Sequence, residues 1–103
     1  MTDIANARRA LVQRILDGAA ENPRAQRQAA FDIAGGLPTP ISTFLEKVAR
    51  SAHSVSNDDV RRALEAGFSE DQVFELAVCA AVGQAGRQYD AALTALDQAS
   101  KAE

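Results

Sequence analysis

The sequence predicts an all-α protein, a single-domain helical bundle of about five helices over residues 1–103. Apolar residues recur every three or four positions in five successive segments, and glycine, proline or helix-capping residues separate those segments. No stretch alternates between apolar and polar residues as a half-buried strand would. At 103 residues and 10.9 kDa, the chain has the size of one domain.

The N-terminal third contains two predicted helices. The first covers residues 3–17, where apolar residues follow helical spacing, and Gly18 suits its end. Asn22 and Pro23 then have the pattern of an N-cap followed by a proline in the first turn. The second helix is therefore expected to extend to about Ala34.

A third helix is predicted after the stiff connector of residues 37–40. Pro40 can open this helix, with Thr39 or Ser42 as its cap. The apolar stripe that would face the core comprises Ile41, Phe44, Leu45, Val48, Ala49 and Ala52.

The junction between the fourth and fifth helices is the clearest boundary signal in the chain. Ser56 caps a short fourth helix, and Gly67 supplies the left-handed position that ends it. Ser69 and Gln72 form a capping box for the fifth helix, which is expected to cover residues 70–100. Its first half is apolar on nearly every side, which predicts enclosure by neighbours. Its second half is amphipathic, with Ala85, Tyr89, Ala92, Leu93 and Leu96 on its apolar side.

Composition excludes several classes of function. The net charge of −3 and pI near 5.1 oppose nucleic-acid binding, which needs a concentrated basic surface. A single cysteine excludes an internal disulfide, and one histidine without an Asp/Glu-rich ligand spacing is too few ligands for a metal site. Without strands there is no phosphate-binding glycine loop, so no cofactor is predicted. No apolar run suits a signal peptide or a membrane span, so the sequence predicts a cytoplasmic protein.

The order and spacing of four segments carry a family resemblance. These segments are Phe44–His53, Val55–Val60, Ala66–Glu75 and Ala80–Gly83. Together they resemble the alkylhydroperoxidase-D-like, or carboxymuconolactone decarboxylase, superfamily, and the likeness is strongest over residues 38–96. The resemblance implies the helical fold of that superfamily and assembly into symmetric homo-oligomers.

The residues that carry the redox chemistry of that superfamily are missing here. Its redox members hold a CxxC pair before the Gly-x-Ser turn, a histidine four residues after the second cysteine, and a glutamate upstream. Counting back from Gly67 places Ala52 and Val55 at the cysteine positions and Asp59 at the histidine position, with Pro40 near the glutamate. The sequence therefore predicts that this chain lacks thiol peroxidase and disulfide reductase activity.

His53, Glu46 and Tyr89 are the candidate catalytic residues. His53 lies within the segment that replaces CxxC, and a neutral imidazole can act as a base or bind a ligand near pH 7. It can equally close a helix C-terminus or form a structural hydrogen bond. Glu46 lies about two turns before His53, whereas Tyr89 could line a pocket or a helix interface.

Cys79, Gly83 and Gly86 are the candidate residues for helix packing or oligomer contacts. Cys79 lies in the most apolar segment, so the sequence predicts a buried, inert thiol, the alternative being an intermolecular disulfide or a lone peroxide-sensing thiol. Two mid-helix glycines suggest close approach of another helix, including one from a second subunit. Glu75 interrupts the same apolar run and is expected to be paired or to face solvent.

Three functions of different classes follow from these residues. The first is a non-redox, homo-oligomeric protein with a binding or assembly role, its partner being another copy of itself. The second is a lyase or decarboxylase-like enzyme in which His53 transfers protons on a small organic molecule. The third is a helix-turn-helix over residues 58–78, but acidic residues at the start of its second helix oppose contact with DNA.

Overall fold

The computed structural model describes residues 3–101, which form five α-helices and one short 3₁₀ helix. The α-helices are α1 (Asp3–Asp17), α2 (Arg24–Asp32), α3 (Thr39–Arg50), α4 (Asn57–Glu65) and α5 (Glu70–Lys101), and the 3₁₀ helix is Ala52–Ser54. Residues 3–101 contain no strand. The prediction of an all-α chain with about five helices is confirmed, whereas the alkylhydroperoxidase-D-like arrangement stays a prediction.

The junction between α4 and α5 forms as its residues predict. Gly67 has a φ of 104°, a left-handed conformation that glycine adopts without steric cost. The Ser69 hydroxyl accepts a hydrogen bond from the Gln72 N–H at 3.1 Å, and the Gln72 side chain accepts one from the Ser69 N–H at 2.8 Å. Ser56 caps α4 as predicted, in a second capping box completed by Asp59.

The predicted caps of α2 and α3 are wrong. Pro23 is the N-cap of α2, because the Asn22 side chain turns instead toward α5 and donates to the Gln72 carbonyl at 3.0 Å. The helix also ends at Asp32 rather than Ala34. Pro38 is the N-cap of α3 and has no side-chain cap bond.

Neither residue proposed as the α3 cap acts as one. Thr39 and Ser42 both lie within the helix, which begins at Thr39. The Ser42 hydroxyl donates a hydrogen bond to the Thr39 carbonyl, three residues earlier, at 3.1 Å. A serine inside the first turn commonly bonds to a nearby carbonyl, and its oxygen is then not directed at the first N–H groups.

The core lies where α2 and α3 pack against the first half of α5. Its side chains are fully or almost fully buried, and they comprise Ala30, Ile41, Phe44, Leu45, Ala63, Val73, Leu76, Cys79 and Ala80. The α3 stripe supplies three of these residues, but α3 ends at Arg50, and Ala52 is exposed in the 3₁₀ helix. The predicted stripe is therefore one turn too long.

Helix α5 extends well beyond this core. Its 32 residues span about 48 Å at 1.5 Å per residue, and the longest dimension of the molecule is 54 Å. Every side chain from residue 91 to residue 101 is exposed. Enclosure of the first half is also incomplete, because Phe74 is 70% exposed within one chain. The prediction that neighbours surround this half is wrong on that side.

Candidate functional site

Both α1 and the second half of α5 carry exposed apolar side chains, which are together called the α1–α5 face. It comprises Ile4 and Leu11 on α1 and Tyr89, Leu93 and Leu96 on α5. Ile4 and Leu96 are each 65% exposed. Large apolar residues grouped in this way commonly mark an interaction site, whereas single exposed leucines are ordinary.

The two helices of this face run in opposite directions. Arg8 near the start of α1 contacts Asp90, whereas Asn22, after the end of α1, contacts Glu75. The start of α1 therefore lies beside the second half of α5.

Arg8 fixes α1 to α5 at the centre of the face. Its guanidinium forms two hydrogen bonds with the Asp90 carboxylate, at 2.7 and 3.0 Å, and a third with the Gly86 carbonyl at 3.3 Å. It also lies 5.6 Å from the centre of the Tyr89 ring, within cation–π distance. The hydrogen bond from Arg8 lowers the pKa of Asp90, and the same bond raises the pKa of Arg8. Both groups stay charged at neutral pH.

Two cavities flank this contact. One has a volume of about 900 Å³ and extends from Tyr89 and Leu93 along α1 to Leu16 and Arg24. The other, of about 470 Å³, extends toward Phe31 at the end of α2. Both include Arg8, Val12, Tyr89 and Asp90 in their linings. Helix α1 thus leaves much of the apolar side of α5 uncovered.

The structure does not bring the three catalytic candidates into one cavity. His53 is exposed in the 3₁₀ helix and lines none of the cavities that contain Glu46 or Tyr89. Glu46 is exposed on α3 and lines a cavity of about 170 Å³ formed with the end of α2. Tyr89 belongs to the α1–α5 face. No shared site for proton transfer results from this arrangement.

Of the positions that hold redox groups in the superfamily that the sequence resembles, Asp59 has a structural role in this chain. Asp59 is 5% exposed, and both its oxygens lie 3.0 Å from Lys47 Nζ. Its pKa is lowered, first by the hydrogen bond from the Ser56 N–H and then by the one from Lys47, although burial opposes both. Ala52 and Val55 carry no reactive group. Asp59 is therefore a charged residue with a structural role, because it completes the cap of α4 and forms a salt bridge with Lys47.

Cys79 is enclosed in the core and has little capacity to react. It is 2% exposed, and burial raises the pKa of its thiol, an effect that the charge of Arg27 offsets only in part. A thiol that stays protonated and covered is a weak nucleophile.

Gly83 and Gly86 pack against other helices of the same chain. A Cβ atom on Gly83 would lie 2.0 Å from the Phe31 carbonyl oxygen, which also accepts a hydrogen bond from Arg87 at 2.7 Å. A Cβ atom on Gly86 would meet only the tip of the Arg8 side chain, at 3.0 Å. Gly83 therefore permits the close approach of α2, and Gly86 lies beneath α1.

A cluster of polar contacts joins the segment between α1 and α2 to α5. Glu75 accepts hydrogen bonds from the backbone N–H groups of Glu21 and Asn22, at 2.7 and 3.0 Å, and from the Asn22 amide at 3.0 Å. Burial alone would raise the pKa of Glu75, but these hydrogen bonds outweigh it and lower the pKa. Arg27 caps the end of α1 by donating to the carbonyls of Ile15 and Gly18.

Sequence reasoning missed most of these polar contacts. The interruption of an apolar run by Glu75 was the one usable signal, and it predicted either pairing or solvent exposure. Arg8 and Asp90 are 82 residues apart, and no local pattern relates them. Arg27 gave no signal either, because an arginine on a predicted helix is usually on its exposed side.

The chain matches no family model, no curated protein and no solved structure. Among residues 3–101, no group of three or more histidine, cysteine, aspartate or glutamate side chains could hold a metal ion. In the same part of the chain, no helix combines the length and the apolar character that a membrane crossing requires.

Proposed function

We propose that this chain is a non-redox, homo-oligomeric helical protein of the alkylhydroperoxidase-D-like type, with a role in binding or assembly. The observation that carries this proposal is the α1–α5 face, on which Ile4, Leu93 and Leu96 remain exposed in the single chain. Burial of a large apolar side chain contributes roughly 1.5–3 kcal/mol relative to exposure, so covering this face would favour association.

Two further arguments support the proposal. The resemblance over residues 38–96 implies a superfamily whose members form symmetric homo-oligomers. In addition, Ala52 and Val55 hold the two positions where redox members carry thiols, and Cys79 is buried elsewhere. A protein that kept the scaffold without the thiols would use its surfaces for assembly rather than for peroxide reduction.

The experiment is a measurement of molar mass in solution over a range of protein concentrations. Light scattering coupled to size-exclusion chromatography, or sedimentation velocity, is expected to give a multiple of the 10.9 kDa chain mass at micromolar concentration. A stable monomer throughout that range would contradict the proposal. A parallel assay with a peroxide and a dithiol reductant is expected to show no turnover.

The other two functions gain no support from a specific observation. The enzyme hypothesis needs His53 in a concave site, and His53 is exposed in the 3₁₀ helix and shares no cavity with Glu46 or Tyr89. The DNA-binding hypothesis needs a basic helix, and α5 begins with Glu70 and Asp71.

A further inference from the structure

We infer that a small cavity between the end of α1, α2 and the first half of α5 binds a small organic monocarboxylate through Arg27. The cavity has a volume of about 180 Å³, and its lining includes Arg14 and Ile15 of α1, Arg27 of α2, and Phe74 and Val78 of α5. It shares no residue with the α1–α5 face. The site therefore goes beyond the proposed function and does not depend on oligomerisation.

Arg27 is a buried cation without a contacting anion. The residue is 7% exposed, and among residues 3–101 it forms no ion pair. A buried charge is costly unless it is paired. The Ile15 and Gly18 carbonyls, at the negative end of α1, offset only part of that cost, because a helix end carries about half a charge. An anion in the cavity would supply the missing charge.

The Arg27 guanidinium has an unused edge that matches a carboxylate. Both of its hydrogen bonds leave from Nη1, at 3.0 Å to the Ile15 carbonyl and 2.9 Å to the Gly18 carbonyl. Its Nε is buried and has no hydrogen-bond partner among residues 3–101. On a guanidinium, the Nε–H and one N–H of Nη2 lie side by side and can bind the two oxygens of one carboxylate.

The charges that line the cavity favour a monoanion. Arg14 and Arg27 contribute two positive charges and Glu75 one negative charge, which leaves a net charge of +1. The Glu75 carboxylate already accepts three hydrogen bonds, from the backbone N–H groups of Glu21 and Asn22 and from the Asn22 amide. A single carboxylate would balance the lining, whereas a dianion such as sulfate would add repulsion from Glu75.

The apolar part of the lining favours an organic ligand. Phe74 is 70% exposed, and Val78 lies one turn further along the same side of α5. Ile15 contributes an apolar side chain from α1. Because an apolar cavity of about 150 Å³ can hold benzene, this cavity suits a small ring or a short chain attached to a carboxylate. Binding such a group would cover part of the exposed Phe74 ring.

The first test is a titration of ¹⁵N-labelled protein with benzoate, followed by NMR. We expect saturable shifts of the backbone amide signals of Phe74 and Val78 and of the Arg27 Nε–H signal, with a dissociation constant on the order of 1 mM or below. Benzamide carries the same ring without the charge, and sulfate carries charge without the ring. Both are expected to bind at least about tenfold more weakly than benzoate.

The second test compares two arginine substitutions. Arg27→Lys keeps a positive charge and a donor for the Ile15 and Gly18 carbonyls but removes the planar edge. We therefore expect it to raise the dissociation constant for benzoate by at least about tenfold. Arg50→Lys makes the same change at an exposed residue outside the cavity, at the end of α3, and should leave the constant within about twofold of wild type. Circular dichroism checks that both variants fold.

The third test changes the apolar side of the cavity and decides the matter if Arg27→Lys does not fold. Phe74→Ala removes an exposed ring from the lining, and we expect benzoate to bind about threefold or more weakly. Leu96→Ala is the matched control, because Leu96 is 65% exposed on the same helix and lies outside the cavity. It should leave the constant within about twofold of wild type.

The outcomes are distinct from those of the molar-mass measurement. Saturable binding of benzoate that weakens in Arg27→Lys or Phe74→Ala, and not in their controls, supports the inference. No saturable shift at up to about 20 mM benzoate overturns it, and so does equally tight binding of benzamide or sulfate. A monomer that binds benzoate overturns only the proposed function, whereas an oligomer that does not bind it overturns only this inference.

Discussion

The two halves of α5 contrast sharply, although they belong to one continuous helix. Residues 70–84 contain every buried side chain that α5 contributes to the core, and α2, α3 and α4 pack around them. Residues 85–101 contact α1 and, through Arg87, the end of α2, and their leucines are exposed. The difference shows that the first half stabilises the folded chain, while the second half is available for contact with another molecule.

The largest effect is expected from truncating a leucine in each half. Leu76 is fully buried, so Leu76→Ala should lower the free energy of unfolding by about 2–5 kcal/mol. Leu93 is 46% exposed in the single chain, so Leu93→Ala should cost less than about 1 kcal/mol under conditions where the protein is monomeric. Urea denaturation at low protein concentration measures both. Equal losses would contradict the contrast between the two halves.

The next effect concerns the two glycines at the boundary between the halves. Gly83→Ala forces a methyl group against the Phe31 backbone, and we expect a loss of about 1–3 kcal/mol in unfolding free energy. Gly86→Ala meets only the movable tip of Arg8, so the higher helix propensity of alanine should leave stability unchanged or raise it by up to about 1 kcal/mol. Thermal denaturation of the two variants provides the comparison. If Gly86→Ala lowered the free energy of unfolding as much as Gly83→Ala, α1 would have to pack against α5 as closely as α2 does.

A smaller effect is expected from the cap that begins the first half. Ser69→Ala removes the acceptor for the Gln72 N–H and should cost about 1 kcal/mol. Ser100→Ala, at the exposed end of the second half, is the matched control and should change stability by less than about 0.5 kcal/mol. Denaturant titration of the three proteins measures the difference. A cost at Ser100 equal to that at Ser69 would mean that the end of α5 is packed in solution.

The smallest effect is a pH dependence that Glu75 confers on the first half. Because folding lowers the pKa of Glu75, its stabilising contribution is complete above the unfolded value of about 4.3 and disappears as the pH falls through the lower folded value. Glu75→Gln should therefore flatten the decline in stability between about pH 5 and pH 2. Glu70→Gln, at the exposed start of α5, is the control. If the free energy of unfolding of Glu75→Gln depended on pH as that of the wild type does, the hydrogen bonds of Glu75 with Glu21 and Asn22 would not persist in solution.

Local signals predicted the helices well, because the interactions that form a helix end lie within a few residues. The junction before α5 is specified by the positive φ of Gly67 and by the hydrogen bonds between Ser69 and Gln72, all within six residues of sequence. The same reasoning failed at Asn22, whose amide satisfies Glu75 and the Gln72 carbonyl rather than the start of its own helix. Those partners lie 50 or more residues along the chain, where no local pattern can indicate them.

The candidate site was predictable only in part. The apolar residues of the second half of α5, including Leu93 and Leu96, were evident from helical spacing. Whether another element of the same chain covers them depends on where α1 lies. The structure places α1 beside Asp90 through Arg8, which leaves Leu93 and Leu96 exposed. Whether His53, Glu46 and Tyr89 share one site depended in the same way on the distances between their helices, which the sequence does not contain.

The sequence alone determined the helical class, the number of helices and the junction between α4 and α5, because hydrophobic periodicity and capping are interactions between near neighbours. Tertiary structure alone decided which apolar residues became core and which stayed exposed. It buried Leu76 and left Leu96 in solvent, although both are leucines on the same helix. The reason is physical, since burial depends on whether another helix packs over a side chain, and the position of that helix results from contacts distributed over the whole fold.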